Sequence, residues 1–322
     1  MNNFISGKYS LFIIKLLISL SVIFLLLVNI DFKVIYNIIL KQPLHLFLFI
    51  IFISYLQVAL NALIQHQILL IFNFRLGLWD IYKHNFISTL FLFVIPAFFA
   101  PDLYLSVYYG KKFKNFQKII IGLLFNRIIG FIIFFCFSVL ALIFMKDNIL
   151  KLSDNIRINF RMSIVYIIII LGSITLSLFF LRKIIKKIVK GIKEKYNIIK
   201  KDFIANIKKV SFIFLLKIFY YLFSIFVRAL IAKILGINIP ILYLVGIIIL
   251  VNFLVVLPIS INGIGIREIG YIGLMHIFNI DMHLALTVSI LDFSIIVIAA
   301  ITGGIIFIIH PIKLNRLNEA NI

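Results

Sequence analysis

One stretch limits what this chain can become. Leu254-Val255-Val256-Leu257-Pro258-Ile259-Ser260-Ile261-Asn262-Gly263-Ile264-Gly265-Ile266-Arg267-Glu268 sets a proline, two glycines and an adjacent Arg-Glu pair inside a region oily enough to be membrane. An unpaired backbone N–H or C=O is costly in hydrocarbon, so a broken segment at that depth persists only where it is buried in protein or lines a polar cavity. Charged side chains are costly there too. A chain that carries such a stretch uses it, and residues 258 to 268 are the expected functional centre.

The remaining sequence is housing for that centre. With 64% hydrophobic residues, a soluble globule is excluded, because so apolar a surface would aggregate. The expected fold class is an all-α polytopic membrane protein, a single integral membrane domain over residues 1–322 with about eight spans and one or two re-entrant or broken segments. A net charge of +21 fits basic cytoplasmic loops that meet anionic headgroups, and a nucleic-acid partner is not expected. Cys136 stands alone, which rules out a disulfide framework.

Taken in order, Leu11 to Ile30 reads as a retained first span and Leu44 to Phe72 as a second, with Asn61, Gln65 and His66 as interhelical hydrogen-bonding groups. A polar turn from Asn73 to Asn85 follows. Phe86 to Tyr109 is apolar but cut by Pro96 and Pro101 and carries Asp102. Proline removes a helical hydrogen bond. Basic residues on both flanks, Arg75 and Lys83 before and Lys111, Lys112, Lys114 and Lys118 after, put both ends on one side and predict a re-entrant hairpin.

Ile119 to Met145, with Arg127, and Ser163 to Leu181 are the next spans. The basic run from Arg182 to Lys209 belongs in the cytoplasm. Within it Ile184, Ile185, Ile188, Val189 and Ile192 share one helical face and lysines the other, which suits either a lipid-sensing helix or a simple surface elbow. Ser211 to Leu235, Ile241 to Leu257, Ile264 to Ile280 and His283 to Ile309 complete the count, with both termini cytoplasmic. Leu92-Phe93-Val94-Ile95-Pro96 echoes Leu254-Val255-Val256-Leu257-Pro258, a possible internal repeat of interrupted segments such as transporters place at their binding sites.

A helix starting near Ile264 would aim its unpaired N–H groups out of the Gly263-Ile264-Gly265 turn, an anion site to which Arg267 adds a planar fork suited to phosphate. Glu268 would bind a cationic group, exchange a proton or hold another arginine. An internal ion pair that locks helices is the alternative for both. Asp102 and Arg127 form a second candidate pair that would fix the first hairpin. Lys217, Arg228 and Asp292 are also intramembrane, with Lys217 able to snorkel. The six histidines are scattered, and no H-E-x-x-H, Cys-His cluster or P-loop is present, so catalysis, a metal, a cofactor and bound ATP are not expected.

The run from Pro258 to Glu268 resembles the late P-x-S-x-G-G-x-G-x-R-E motif of the lysylphosphatidylglycerol synthase transmembrane region, the flippase-like membrane domain of the multiple peptide resistance factor and many stand-alone proteins. Ile95-Pro96-Ala97 through Asp102 is similar to that family's earlier proline-glycine signature, and Asn126-Arg127-Ile128-Ile129-Gly130 to the arginine-bearing helix after it. Ala97, Ala100 and Pro101 stand where the family favours glycine, Leu105 where it favours arginine, and Asn262 replaces one glycine of the late motif. The resemblance implies an eight-span fold with re-entrant pieces that moves lipids or lipid-linked molecules between leaflets. It places substrate contacts at Pro258, Asn262, Gly263, Gly265, Arg267 and Glu268, braced by Pro96, Asp102, Arg127 and Arg228. Ending at Ile322, the chain is not expected to transfer lysine to lipid. Membrane lipids with anionic headgroups are the expected partners in the inner membrane. The second reading is a scaffold for a lipid- or glycan-modifying enzyme, and a third a membrane glycosyltransferase.

Overall fold

A computed structural model describes residues 32–94, 99–155, 202–256, 260 and 262–309. The described elements are all α-helical: α1 (Phe32–Leu40), α2 (Leu44–Ile71), α3 (Leu78–Val94), α4 (Ala100–Lys112), α5 (Phe116–Asn155), α6 (Ile207–Ile234), α7 (Ile241–Val256), α8 (Ile266–His276) and α9 (Met282–Ile309). Among the described residues four helices are long and apolar enough to cross a membrane: α2, α5 over Phe116–Met145, α6 and α9. The chain is a multi-pass membrane protein. The predicted spans Leu11 to Ile30 and Ser163 to Leu181, the amphipathic run 184–193, Pro96 and Pro258 lie outside the described residues.

Two expectations need correction. The polar turn from Asn73 to Asn85 is short, because α3 begins at Leu78; Asp80 in its first turn favours the helix dipole there, and the polar residues after it face helical neighbours. Ile264 to Ile280 is not a crossing helix. α8 has 11 residues, about 16 Å at 1.5 Å per residue, against about 30 Å of hydrocarbon. The three backbone turns before it use up the chain that a span would need.

The chain divides into two compact units, with boundaries inside α5, α6 and α9. The unit holding Leu44–Phe134 contains α2, α3 and α4, with α2 against α3 and α3 against α4. A polar ladder ties them. Asn61 Nδ2 donates to Asn85 Oδ1 at 2.9 Å and Asn85 Nδ2 to Gln65 Oε1 at 3.0 Å. The Tyr109 hydroxyl donates to the same Gln65 oxygen at 3.4 Å. Asn61 and Gln65 thus make the interhelical bonds expected of them, since an apolar surround offers amides no other partner. His84 closes the α3–α4 contact, with Nδ1 2.7 Å from the Tyr104 hydroxyl and its ring stacked on Tyr108 at 3.5 Å. At the far end of α2 the last carbonyls are capped from outside: Lys209 Nζ donates to Leu70 O at 3.2 Å and Asn206 Nδ2 to Ile71 O at 3.3 Å. A cation at a helix C-terminus also meets the negative end of the dipole.

The unit holding Ile225–Leu291 contains α7 and α8 packed on each other. Ile35 of α1 and Leu286 of α9 are buried together, with Ile272 of α8 against them. Asp281 starts α9: its Oδ1 accepts from His283 N at 2.8 Å and Leu284 N at 3.4 Å, a side-chain N-cap. Burial pulls the Asp281 carboxyl upward, but these amides and the His283 ring outweigh it and hold the group below its ordinary value of 3.8.

Candidate functional site

The late motif builds a compact turn between α7 and α8. Asn262, Gly263 and Gly265 have φ of +54°, +78° and +88°, three left-handed residues in four. Glycine adopts this conformation without penalty and asparagine more readily than most other side chains. The departure at Asn262 is therefore a conservative one, a turn residue replacing a turn residue. Gly263 is fixed by packing as well. A Cβ there would lie 2.6 Å from Val255 Cγ1 of α7, and one on Gly270 would lie 3.3 Å from Val251. These contacts let the short α8 lie directly on α7.

α8 buries Arg267, Gly270, Tyr271 and Met275, residues spaced by three, four and eight and hence on one face. Arg267 is only 3% exposed. Its Nη2 donates to Asn262 O at 3.3 Å, closing the turn over itself. Glu268 points elsewhere. Its Oε2 accepts from Gly265 N at 2.6 Å and its Oε1 from the Ser289 hydroxyl at 3.0 Å. The amide that opens α8 is thus held by the chain's own carboxylate, which supplies the negative charge a helix start prefers. Arg267 and Glu268 take different partners, as neighbours about 100° apart on a helix must. Ser260 Oγ in the same turn is buried and has no hydrogen-bond partner among the described residues.

The first hairpin is built differently. Pro101 stands in the first turn of α4, where its missing N–H costs nothing, and Asp102 follows it. Arg127 Nε of α5 donates to Asp102 Oδ2, and the guanidinium lies 4.9 Å from the centre of the Phe99 ring. The two expected partners do meet. Their side chains remain 24% and 20% exposed, for Arg127 and Asp102 respectively. Lys217 of α6 belongs to this cluster and does not snorkel: it is 7% exposed, with Nζ 5.5 Å from the centre of the Tyr220 ring. Arg228 is buried in the other unit, at 8% exposure, and is not brought to Asp102 and Arg127.

Three participants escaped the sequence reading: Ser260, Ser289 and Lys217. Ser289 had a signal, since Thr287, Ser289 and Asp292 are polar interruptions of an otherwise apolar helix and all are buried. Among the described residues no group of three His, Cys, Asp or Glu side chains could hold a metal.

No curated protein and no solved structure matches the chain. The family described as the lysylphosphatidylglycerol synthase TM region matches residues 12–304, which take in both hairpins, the Asp102–Arg127 pair and the turn that opens α8. The chain belongs to the lysylphosphatidylglycerol synthase TM region family.

Proposed function

We propose that this protein moves phospholipid or lipid-linked molecules between the leaflets of the cytoplasmic membrane and takes the anionic headgroup at the turn from Asn262 to Glu268. One observation carries this: the turn brings together a buried arginine, a buried serine hydroxyl with no partner among the described residues, and a helix-opening amide held by an acidic side chain of the chain itself. Membership of a family of membrane regions concerned with lipid supports it.

The chemistry is an exchange. A phosphate entering the turn competes with Glu268 for Gly265 N–H, accepts from Ser260 and is neutralised by Arg267. Glu268, released from the amide, then meets the headgroup's cationic amine or takes up a proton. The free energy of one contact offsets the loss of the other, so the headgroup is held without being trapped. Asp102 and Arg127 keep the first hairpin in place. Both termini face the cytoplasm, membrane lipids are the partners, and neither a bond-making step nor a cofactor is involved.

Proteoliposomes carrying headgroup-labelled anionic, zwitterionic and aminoacylated lipids, quenched from outside, test this. The native chain should expose inner-leaflet label faster than protein-free vesicles, and Arg267→Gln should return the rate to that background while still folded. No exchange above background, with or without an imposed proton gradient, would overturn translocation and favour a scaffold for a lipid-modifying enzyme.

A further inference from the structure

Lys217 stands among apolar residues of α6, and a lysine in such a place ordinarily stretches its ammonium to the membrane surface. This one is buried instead, lying over Tyr220. It lies beside Gly130 of α5, where a Cβ would stand 3.9 Å from Nζ and 2.7 Å from the Tyr221 hydroxyl. The missing side chain at Gly130 is what lets a lysine and a tyrosine hydroxyl of α6 come up against α5, one turn from Arg127. Among the described residues, the charges acting on Lys217 are those of Asp102 and Arg127. The Asp102 carboxylate is already engaged by Arg127. Two fixed cations therefore share one carboxylate in an apolar surround, and buried charge is kept where it is paired.

We propose that Lys217, Arg127 and the Tyr221 hydroxyl form an anion site of the first hairpin, which takes a singly charged phosphate group of the kind borne by a lipid headgroup or by free phosphate. Asp102 acts as a positioning residue, holding the guanidinium by Nε. The partly exposed Arg127 and Asp102 give the anion a way in. A planar guanidinium next to a compact ammonium suits a tetrahedral oxyanion. The site is separate from the Asn262 to Glu268 turn and requires binding only, so it stands or falls independently of translocation.

The test uses the purified full chain in neutral detergent, titrated calorimetrically with dihexanoylphosphatidylglycerol, dihexanoylphosphatidylcholine and inorganic phosphate, alongside thermal melting. The native chain should bind the phosphatidylglycerol saturably and melt higher with it. Lys217→Met should weaken that binding about tenfold or more, and Lys217→Arg should keep it. Without ligand, Lys217→Met should melt no lower than the native chain, since a buried charge has been removed. Phosphatidylglycerol binding without phosphate binding identifies a lipid headgroup, and Lys217-dependent binding of both identifies the free anion as sufficient. Native-like phosphatidylglycerol affinity in Lys217→Met, no saturable binding by the native chain, or failure of Lys217→Met to fold would each overturn the proposal, the last by showing that Lys217 serves the fold.

Discussion

The α3–α4 and α7–α8 hairpins share a plan, an apolar helix, a break and a shorter helix packed on the first, yet they settle their charges in opposite ways. In α3–α4 the carboxylate of Asp102 reaches out of the hairpin to Arg127 on α5. In α7–α8 Arg267 and Glu268 both bond to the turn that precedes them, with only Ser289 added from α9. The backbones differ to match. The second turn uses three left-handed residues, whereas Phe99, at the start of α4, has an ordinary φ of −91° and Pro101 follows in the helix's first turn. A hairpin tied to its neighbour is a brace. One whose charges are held by its own turn can release them without unpacking its helices, which is what a site that trades partners requires.

The contrast can be broken by substitution. The largest effect should come from Gly263→Val, which adds left-handed strain to an overlap with Val255. A loss of about 3–5 kcal/mol in thermal or denaturant unfolding is expected, with Gly263→Ala milder. Next, a double-mutant cycle with Asp102→Asn and Arg127→Gln should show a coupling of about 1–3 kcal/mol between the pair, as a brace demands. A coupling near zero would make the pair incidental. Glu268→Ala removes the acceptor of Gly265 N–H and should lower stability by about 1–2 kcal/mol. Asn262→Gly should change stability by less than about 0.5 kcal/mol, because the left-handed φ is then free while the unfolded chain gains entropy. The same substitution in a helix would cost more, so a neutral outcome distinguishes the turn.

A separate, small pH effect belongs to Asp281. Its carboxyl sits below its ordinary value in the folded chain, so its contribution to α9 is present above pH 3.8 and is lost only as the pH falls through the lower folded value. Hydrogen exchange in the first turn of α9 should therefore be unchanged from pH 7 to pH 5 and rise only in stronger acid.

Much of this was legible in the sequence, because membrane physics leaves few choices. Apolar runs as long as Leu44–Ile71 or Met282–Ile309 can only be helices, since their backbone has no other partner in lipid. The late motif announced a turn through its glycines, and Asn262 belongs to the same conformational class. What stayed hidden depends on three-dimensional direction. The stretch Ile264 to Ile280 is apolar enough to cross, and only the left-handed turn shows that the helix starts late and ends short. Arg267 falls on the face of Tyr271 and Met275, a placement that periodicity could have indicated once the helix start was known. Nothing in the sequence said that Lys217 would turn inward, because that depends on the space left by Gly130 on another helix.

Glu268→Gln is the most direct test of the exchange at the second turn. The amide keeps an oxygen for Gly265 N–H or Ser289 but removes the charge that would meet a headgroup amine or a proton. Measured in proteoliposomes with labelled anionic and aminoacylated lipids, Glu268→Gln should melt close to the native chain while its leaflet exchange drops to the protein-free rate. Native-rate exchange by a folded Glu268→Gln chain would contradict the account, leaving Glu268 as a helix cap and nothing more.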